Sequence, residues 1–242
     1  MKKILNAVRP GLIAAGGLLL MTLLFSACKK SLDDNNANIP VAGLMGFNLS
    51  TDKASVGLAI SGSALTNAPL GYSSFTGLYQ NIYTGSRAVS AFNFYTSDSA
   101  FATATENFEA NKYYSIFVLG ANGNYRNLIV KDELDSLAAT SGLTYVRYIN
   151  AIPDSSKPAV TLTAAGTDVS NGNTSYATVS AFTGINPGDL TIKVSNGSTI
   201  SANRTITVEK GKVYTILLIG VPGSTDAEKK VQVKYITNGT AS

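Results

Sequence analysis

Apolar and polar residues alternate through Leu190-Thr191-Ile192-Lys193-Val194, Thr205-Ile206-Thr207-Val208 and Val231-Gln232-Val233-Lys234-Tyr235. A two-residue period turns one side of an extended chain toward a core and the other toward water, so each stretch predicts a half-buried strand. Residues 214–219 are almost continuously apolar and rich in β-branched side chains, which suits a central strand. Turn signals recur along the chain at Ser61-Gly62, Thr84-Gly85, Gly123-Asn124, Ala165-Gly166, Asn171-Gly172, Pro187-Gly188, Asn196-Gly197 and Pro222-Gly223. Short strands between such turns predict an all-β protein made of sandwiches of about seven strands apiece. One brief helix is expected, over residues 132–139.

The chain also repeats itself. Residues 108–120 match residues 208–220 at a constant offset of 100, with identities at Glu, Lys, Tyr, Ile and Gly. Tyr72-Ser73-Ser74-Phe75 pairs with Tyr176-Ala177-Thr178-Val179, and Val56-Gly57-Leu58 with Val160-Thr161-Leu162, both at an offset of 104. A unit of that length is domain-sized and too long for a solenoid repeat. The expected fold is therefore two tandem immunoglobulin-like antiparallel β-sandwich domains, at residues 41–141 and 142–242. In the second copy Glu209-Lys210-Gly211-Lys212 reads as a hairpin turn with Gly at a positive φ. Asn111 holds the corresponding place in the first copy, and Asn is the side chain that best tolerates that region after Gly.

Residues 1–27 have the three parts of an export signal: basic Lys2, Lys3 and Arg9, an apolar run over 12–25, and small Ser26 and Ala27. The apolar run is shorter than the roughly 20 residues that span a bilayer. Cys28 follows directly, and the arrangement Phe25-Ser26-Ala27-Cys28 resembles the lipobox of bacterial lipoproteins, with Phe where Leu is commoner. The resemblance implies acylation of Cys28, cleavage before it, and a membrane partner reached through two or three acyl chains. It also accounts for a lone cysteine in an exported chain, which has no second thiol for an intramolecular disulfide. Residues 28–40 read as a polar tether. Within it Lys29-Lys30 and Asp33-Asp34 resemble the charged export tag of surface lipoproteins in the Bacteroidetes, which implies the outer membrane and its outward face.

Val146-Arg147-Tyr148-Ile149-Asn150-Ala151-Ile152-Pro153-Asp154-Ser155, the following Val160-Thr161-Leu162, and later Gly211-Lys212-Val213-Tyr214-Thr215 resemble the bacterial domain of unknown function 4397. The first copy keeps Phe47-Asn48 and Tyr113-Tyr114-Ser115 but has Ser50-Thr51-Asp52 in its opening element, without an evident Arg or Pro-Asp. The resemblance implies a β-sandwich in a secreted or lipid-anchored protein and carries no established activity.

Composition narrows the chemistry. The 242 residues include no His, no Trp and one Cys, and 14% are charged. A Ser-His-Asp or Cys-His apparatus needs an imidazole, and zinc sites draw on several His and Cys residues, so neither is expected. The net charge of +4 largely belongs to the leader: without its three basic residues, 16 basic side chains face 15 acidic ones. No basic run follows, and nucleic acid is not an expected partner. No cofactor and no metal site are expected either.

Among the carboxylates, the duplicated Glu109 and Glu209 read as structural, each before a turn and three residues ahead of a Lys. Asp132, Glu133 and Asp135 read as a solvated helix face, since no calcium-loop pattern accompanies them. Twelve tyrosines are present. Tyr72, Tyr79 and Tyr83, with Tyr95, Phe75, Phe92 and Phe94, form an aromatic cluster in the first copy. Core packing is the plain explanation, and a surface that stacks on sugars or anchors a partner protein is the sharper one. Ser99 and Ser136, in Asp98-Ser99-Ala100 and Asp135-Ser136-Leu137, resemble the short acceptor motif for O-glycosylation in exported Bacteroidetes proteins.

The function expected from these features is that of a lipid-anchored cell-envelope protein, non-catalytic, with a structural or binding role. A glycan-binding accessory lipoprotein at the cell surface is the first alternative. A carboxylate-based hydrolase, with two acids facing one cleft, is the second.

Overall fold

The computed structural model describes residues 39–241 apart from Ser97. Cys28, the leader and the tether up to residue 38 lie outside the described residues. The chain is all-β. The first repeat contains β1 (Val41–Asn48), β2 (Val56–Ile60), β3 (Ser63–Ala64), β4 (Gln80–Tyr83), β5 (Gly85–Asn93), β6 (Ala102–Phe108), β7 (Tyr113–Ala121) and β8 (Asn124–Lys131). The second contains β9 (Thr144–Asn150), β10 (Ala159–Ala164), β11 (Thr167–Asn173), β12 (Thr178–Val179), β13 (Thr183–Ile185), β14 (Gly188–Ser195), β15 (Ser201–Val208), β16 (Lys212–Ile219) and β17 (Gln232–Thr240).

Each repeat is a sandwich of two sheets. In the first, order β3-β2-β5-β6 lies against β4-β1-β7-β8; in the second, β11-β10-β14-β15 lies against β12-β9-β16-β17, with β13 also on β9. Pairing is antiparallel except for one parallel pair per repeat, β1 with β7 and β9 with β16. From Pro40 onward the two repeats form one compact unit.

Burial follows the strand pattern. In β14 every second residue is buried, Leu190, Ile192 and Val194, and the Thr and Lys between them face water. Such a strand has one covered face. In β16 every residue from Val213 to Ile219 is buried, and in β7 every residue from Tyr114 to Gly120. Those strands are covered on both sides. Tyr214, Ile216 and Leu218 point into the core of the second sandwich, whereas Leu217 and Ile219 join Met45, Phe47, Leu49, Phe117, Leu119 and Ile149 in a separate core between the repeats. The four sheets are thus stacked, and the two inner ones face each other across that shared core. Phe47 stacks on Phe117 with centroids 4.8 Å apart.

The junction does not form the helix expected over residues 132–139. Two single 3-10 turns stand there, Leu134–Ser136 and Ala139–Ser141. Asp132 ends the hydrogen-bonded ladder of β8, its N–H donating to the Tyr113 carbonyl, and is buried. The solvated acidic face expected of Asp132, Glu133 and Asp135 is therefore corrected: Glu133 and Asp135 are exposed, and Asp132 belongs to the interior.

Repeat equivalence extends to fine detail. Asn111 and Gly211 both have positive φ, +59° and +73°, at the same turn. The hydroxyl of Tyr114 accepts the Glu109 N–H at 3.0 Å, and that of Tyr214 accepts the Glu209 N–H at 3.1 Å. This is the geometry of the tyrosine corner found in immunoglobulin-type sandwiches. It explains why Glu and Tyr recur together: the backbone of one and the ring of the other brace the same corner.

Candidate functional site

The parallel registers place Tyr145 against Val213 and Gly43 against Tyr113. Because Tyr113 and Val213 correspond, Gly43 corresponds to Tyr145, and the opening strands align at an offset of 102. Asn48 then matches Asn150, Met45 matches Arg147, and Asp52 matches Asp154. The first copy keeps an acid at the place of Asp154 although its surrounding sequence diverges.

Arg147 is the one charged residue of β9 and is 1% exposed. It faces the first repeat, where Nη1 donates to Asp132 Oδ1 at 2.5 Å and Nη2 donates to Ser115 Oγ at 2.9 Å. Its Nε donates to Thr215 Oγ1 at 3.0 Å. Thr215 donates to Asn238 Oδ1, Asn238 Nδ2 donates to the Tyr79 hydroxyl, and Tyr79 donates to Asp132 Oδ2 at 2.6 Å. Ser115 completes the set, donating to the same Oδ2 at 2.6 Å. The bonds close a ring that takes members from both repeats. The Phe182 ring lies 4.5 Å from the guanidinium carbon, a cation–π contact. Burial, followed by the Asp132 charge, raises the Tyr79 phenol far above its ordinary range. With its ionic partners mutually satisfied, this cluster is a fastening between the sandwiches.

The aromatic candidates separate. Tyr72 and Tyr79 are partly buried against the shared core, and Tyr79 is committed to Asp132. Tyr83 stays on the surface, beside Arg87 and 58% exposed. Tyr95 is exposed too, edge-on to Phe94. The structure does not bring Tyr72, Tyr79 and Tyr83 together on one exposed face, because the docking of the repeats covers Tyr72 and Tyr79 and leaves Tyr83 uncovered. Ser99 and Ser136 are exposed, and the Ser136 hydroxyl donates to the Glu133 carbonyl. Glu109 accepts from Lys131 at 3.0 Å, and Lys112 pairs with Asp135.

A groove opens where loops of both repeats meet at one end of the stacked sheets. One part, about 550 Å³, is lined by Asp52, Asn122 and Asn124 of the first repeat and by Tyr176, Ser224 and Lys229 of the second. The other part, about 640 Å³, is lined by Asp154, Lys157 and Ser175. Pro153 and Tyr176 border both parts, so the two adjoin. Asp52 Oδ2 accepts the Asn122 N–H at 2.8 Å and the Tyr125 hydroxyl at 2.7 Å. Partial burial pushes the Asp52 carboxyl up, but these hydrogen bonds outweigh it and hold the group below its ordinary value. No cluster of three or more metal-ligating side chains occurs among the described residues.

Sequence reasoning missed both the ring and the groove. The ring had one visible signal, a single charged residue inside a strand; the groove had none, being assembled from loops about 100 residues apart.

Residues 144–238 match the model of a family described as a domain of unknown function (DUF4397). The span runs from the start of β9 into β17. No curated protein matches the chain. Among solved structures, one from Bacteroides eggerthii DSM 20697, described as "a putative cell adhesion protein", is 14% identical, with 83% of this chain and 96% of that chain covered and a TM-score of 0.22.

Proposed function

We propose that this chain is a lipid-anchored protein of the bacterial cell envelope, held by acyl chains on Cys28, with a non-catalytic structural or binding role. The observation that carries the reading is the combination of a cysteine directly behind an export-type leader with an ectodomain whose buried charges are spent on fastening its two halves. A compact double sandwich on a polar tether suits a display role. Three of its titratable interior groups, Arg147, Asp132 and Tyr79, form one bonded cluster and leave no acid–base pair free among themselves. The outer membrane, with the ectodomain facing outward, is the proposed address, from the charged residues after Cys28.

Labelling cells with radioactive palmitate tests the anchor. The wild-type chain is expected to incorporate label and to sediment with the outer membrane, and Cys28→Ala to lose both properties. Label persisting in the variant, or a cytosolic chain with its leader intact, would sink the reading.

A further inference from the structure

We propose that the groove shared by the two repeats binds a neutral saccharide, with Tyr176 as its aromatic wall and Asp52, Asn124 and Lys229 as its polar contacts. The inference rests on the binding role proposed above and assigns it a place and a ligand class.

The groove exists only because the repeats dock. The loop after β1 brings Asp52, the β7–β8 turn brings Asn122 and Asn124, and the corresponding loops of the second repeat bring Pro153 and Ser224. Each of its two parts has a volume in the range of small-ligand sites. Tyr176 borders both parts; its ring is half-buried, packed against the shared core like Tyr72, with the Arg126 guanidinium 5.2 Å from its centroid. Burial raises its phenol above the ordinary value, so the hydroxyl stays protonated and able to donate.

The charges select the ligand. Among the lining residues two carboxylates, Asp52 and Asp154, stand against two ammonium groups, Lys157 and Lys229, so the lining itself carries no net charge. A ligand that offers many hydroxyls can satisfy acceptors and donors together, and its C–H faces can lie on an aromatic ring. Asp52 is pre-oriented for this: both of its internal hydrogen bonds land on Oδ2, which leaves the acceptor capacity of Oδ1. Lys229 makes no ion pair among the described residues.

The test is an array of neutral glucans, mannans and galactans, with sulfated and uronic-acid glycans beside them, probed with the detergent-solubilised full chain. Retention of neutral oligosaccharides is expected. Tyr176→Ala and Lys229→Ala should each weaken it about tenfold, and Tyr83→Ala should leave it unchanged. If Tyr176→Ala fails to fold, Lys229→Ala and Asn124→Ala, both at exposed positions, decide the matter. Retention of no glycan, of charged glycans alone, or of neutral glycans regardless of these variants overturns the inference. Any such result alongside normal palmitate labelling removes the saccharide and leaves the envelope role standing.

Discussion

Arg147 and Asp132 form an ion pair across the junction of the repeats, Nη1 to Oδ1 at 2.5 Å, with the side chains 2% and 0% exposed. Removing one partner of such a pair leaves a charge stranded in the interior, which typically costs about 3–5 kcal/mol. The first repeat has Met45 at the corresponding place, so Arg147→Met is the natural probe. It should lower unfolding stability by an amount in that range in urea denaturation. Arg147→Met with Asp132→Asn should recover a part of the loss, since the second change discharges the stranded acid yet keeps an acceptor for Tyr79 and Ser115. A double variant no more stable than the single one would refute this account of the pair.

The matched asparagines differ in what they support. Asn48 Nδ2 donates to the carbonyls of Lys53 and Leu70 at 2.7 and 2.9 Å, and its Oδ1 accepts the Ser50 N–H. Asn150 Nδ2 donates to the Thr174 carbonyl alone, and its Oδ1 accepts the Ile152 N–H. Both are fully buried. Each orphaned partner costs about 1–3 kcal/mol. Alanine at either place should destabilise, with Asn48→Ala the worse of the two; the reverse order in thermal or chemical melts would contradict the pairing.

Gly120 and Gly220 recur at the offset of 100, with φ of +121° and +120°. A Cβ at Gly120 would collide with the Asn124 carbonyl oxygen and one at Gly220 with the Lys230 carbonyl oxygen. Gly→Ala at either site combines a disfavoured backbone with a clash against main chain, and the loss should exceed about 1 kcal/mol at each. Gly62→Ala is the control, because there φ is positive but nothing lies within 4 Å of the added carbon. Should Gly120→Ala melt with Gly62→Ala, the close approach would not be what selects glycine.

Alkaline stability follows from two phenols. Burial pushes Tyr72 from 10.0 up to about 12, and burial with the adjacent Asp132 charge moves Tyr79 in the same direction. Below pH 10 both phenols are protonated, folded or unfolded, and their contribution is complete. Above it the unfolded chain releases protons that the folded chain retains, so stability falls as pH rises toward the folded values. Urea midpoints measured from about pH 9 to about pH 11 should decline, and the decline should be shallower in Tyr72→Phe and Tyr79→Phe. Parallel slopes in all three proteins would exclude these residues as its source.

The strands, the duplication and the turn shared by Asn111 and Gly211 were legible in the linear chain, because alternation and φ preference are local properties of a few neighbouring residues. The tyrosine corner was half legible: Tyr214 and Glu209 could be seen to recur, but not that a ring hydroxyl meets a backbone N–H. What the tertiary structure alone decided is which covered face meets which. An unbroken apolar run such as Tyr214–Ile219 demands cover on both sides without naming the cover, and here it is the other repeat. That choice took Tyr72 and Tyr79 off the surface, joined Arg147 to Asp132, and set loops far apart in sequence around one groove. Burial of apolar area is non-directional. Only the simultaneous fit of both inner sheets and their few polar groups selects the pairing, and that information is spread over the whole chain.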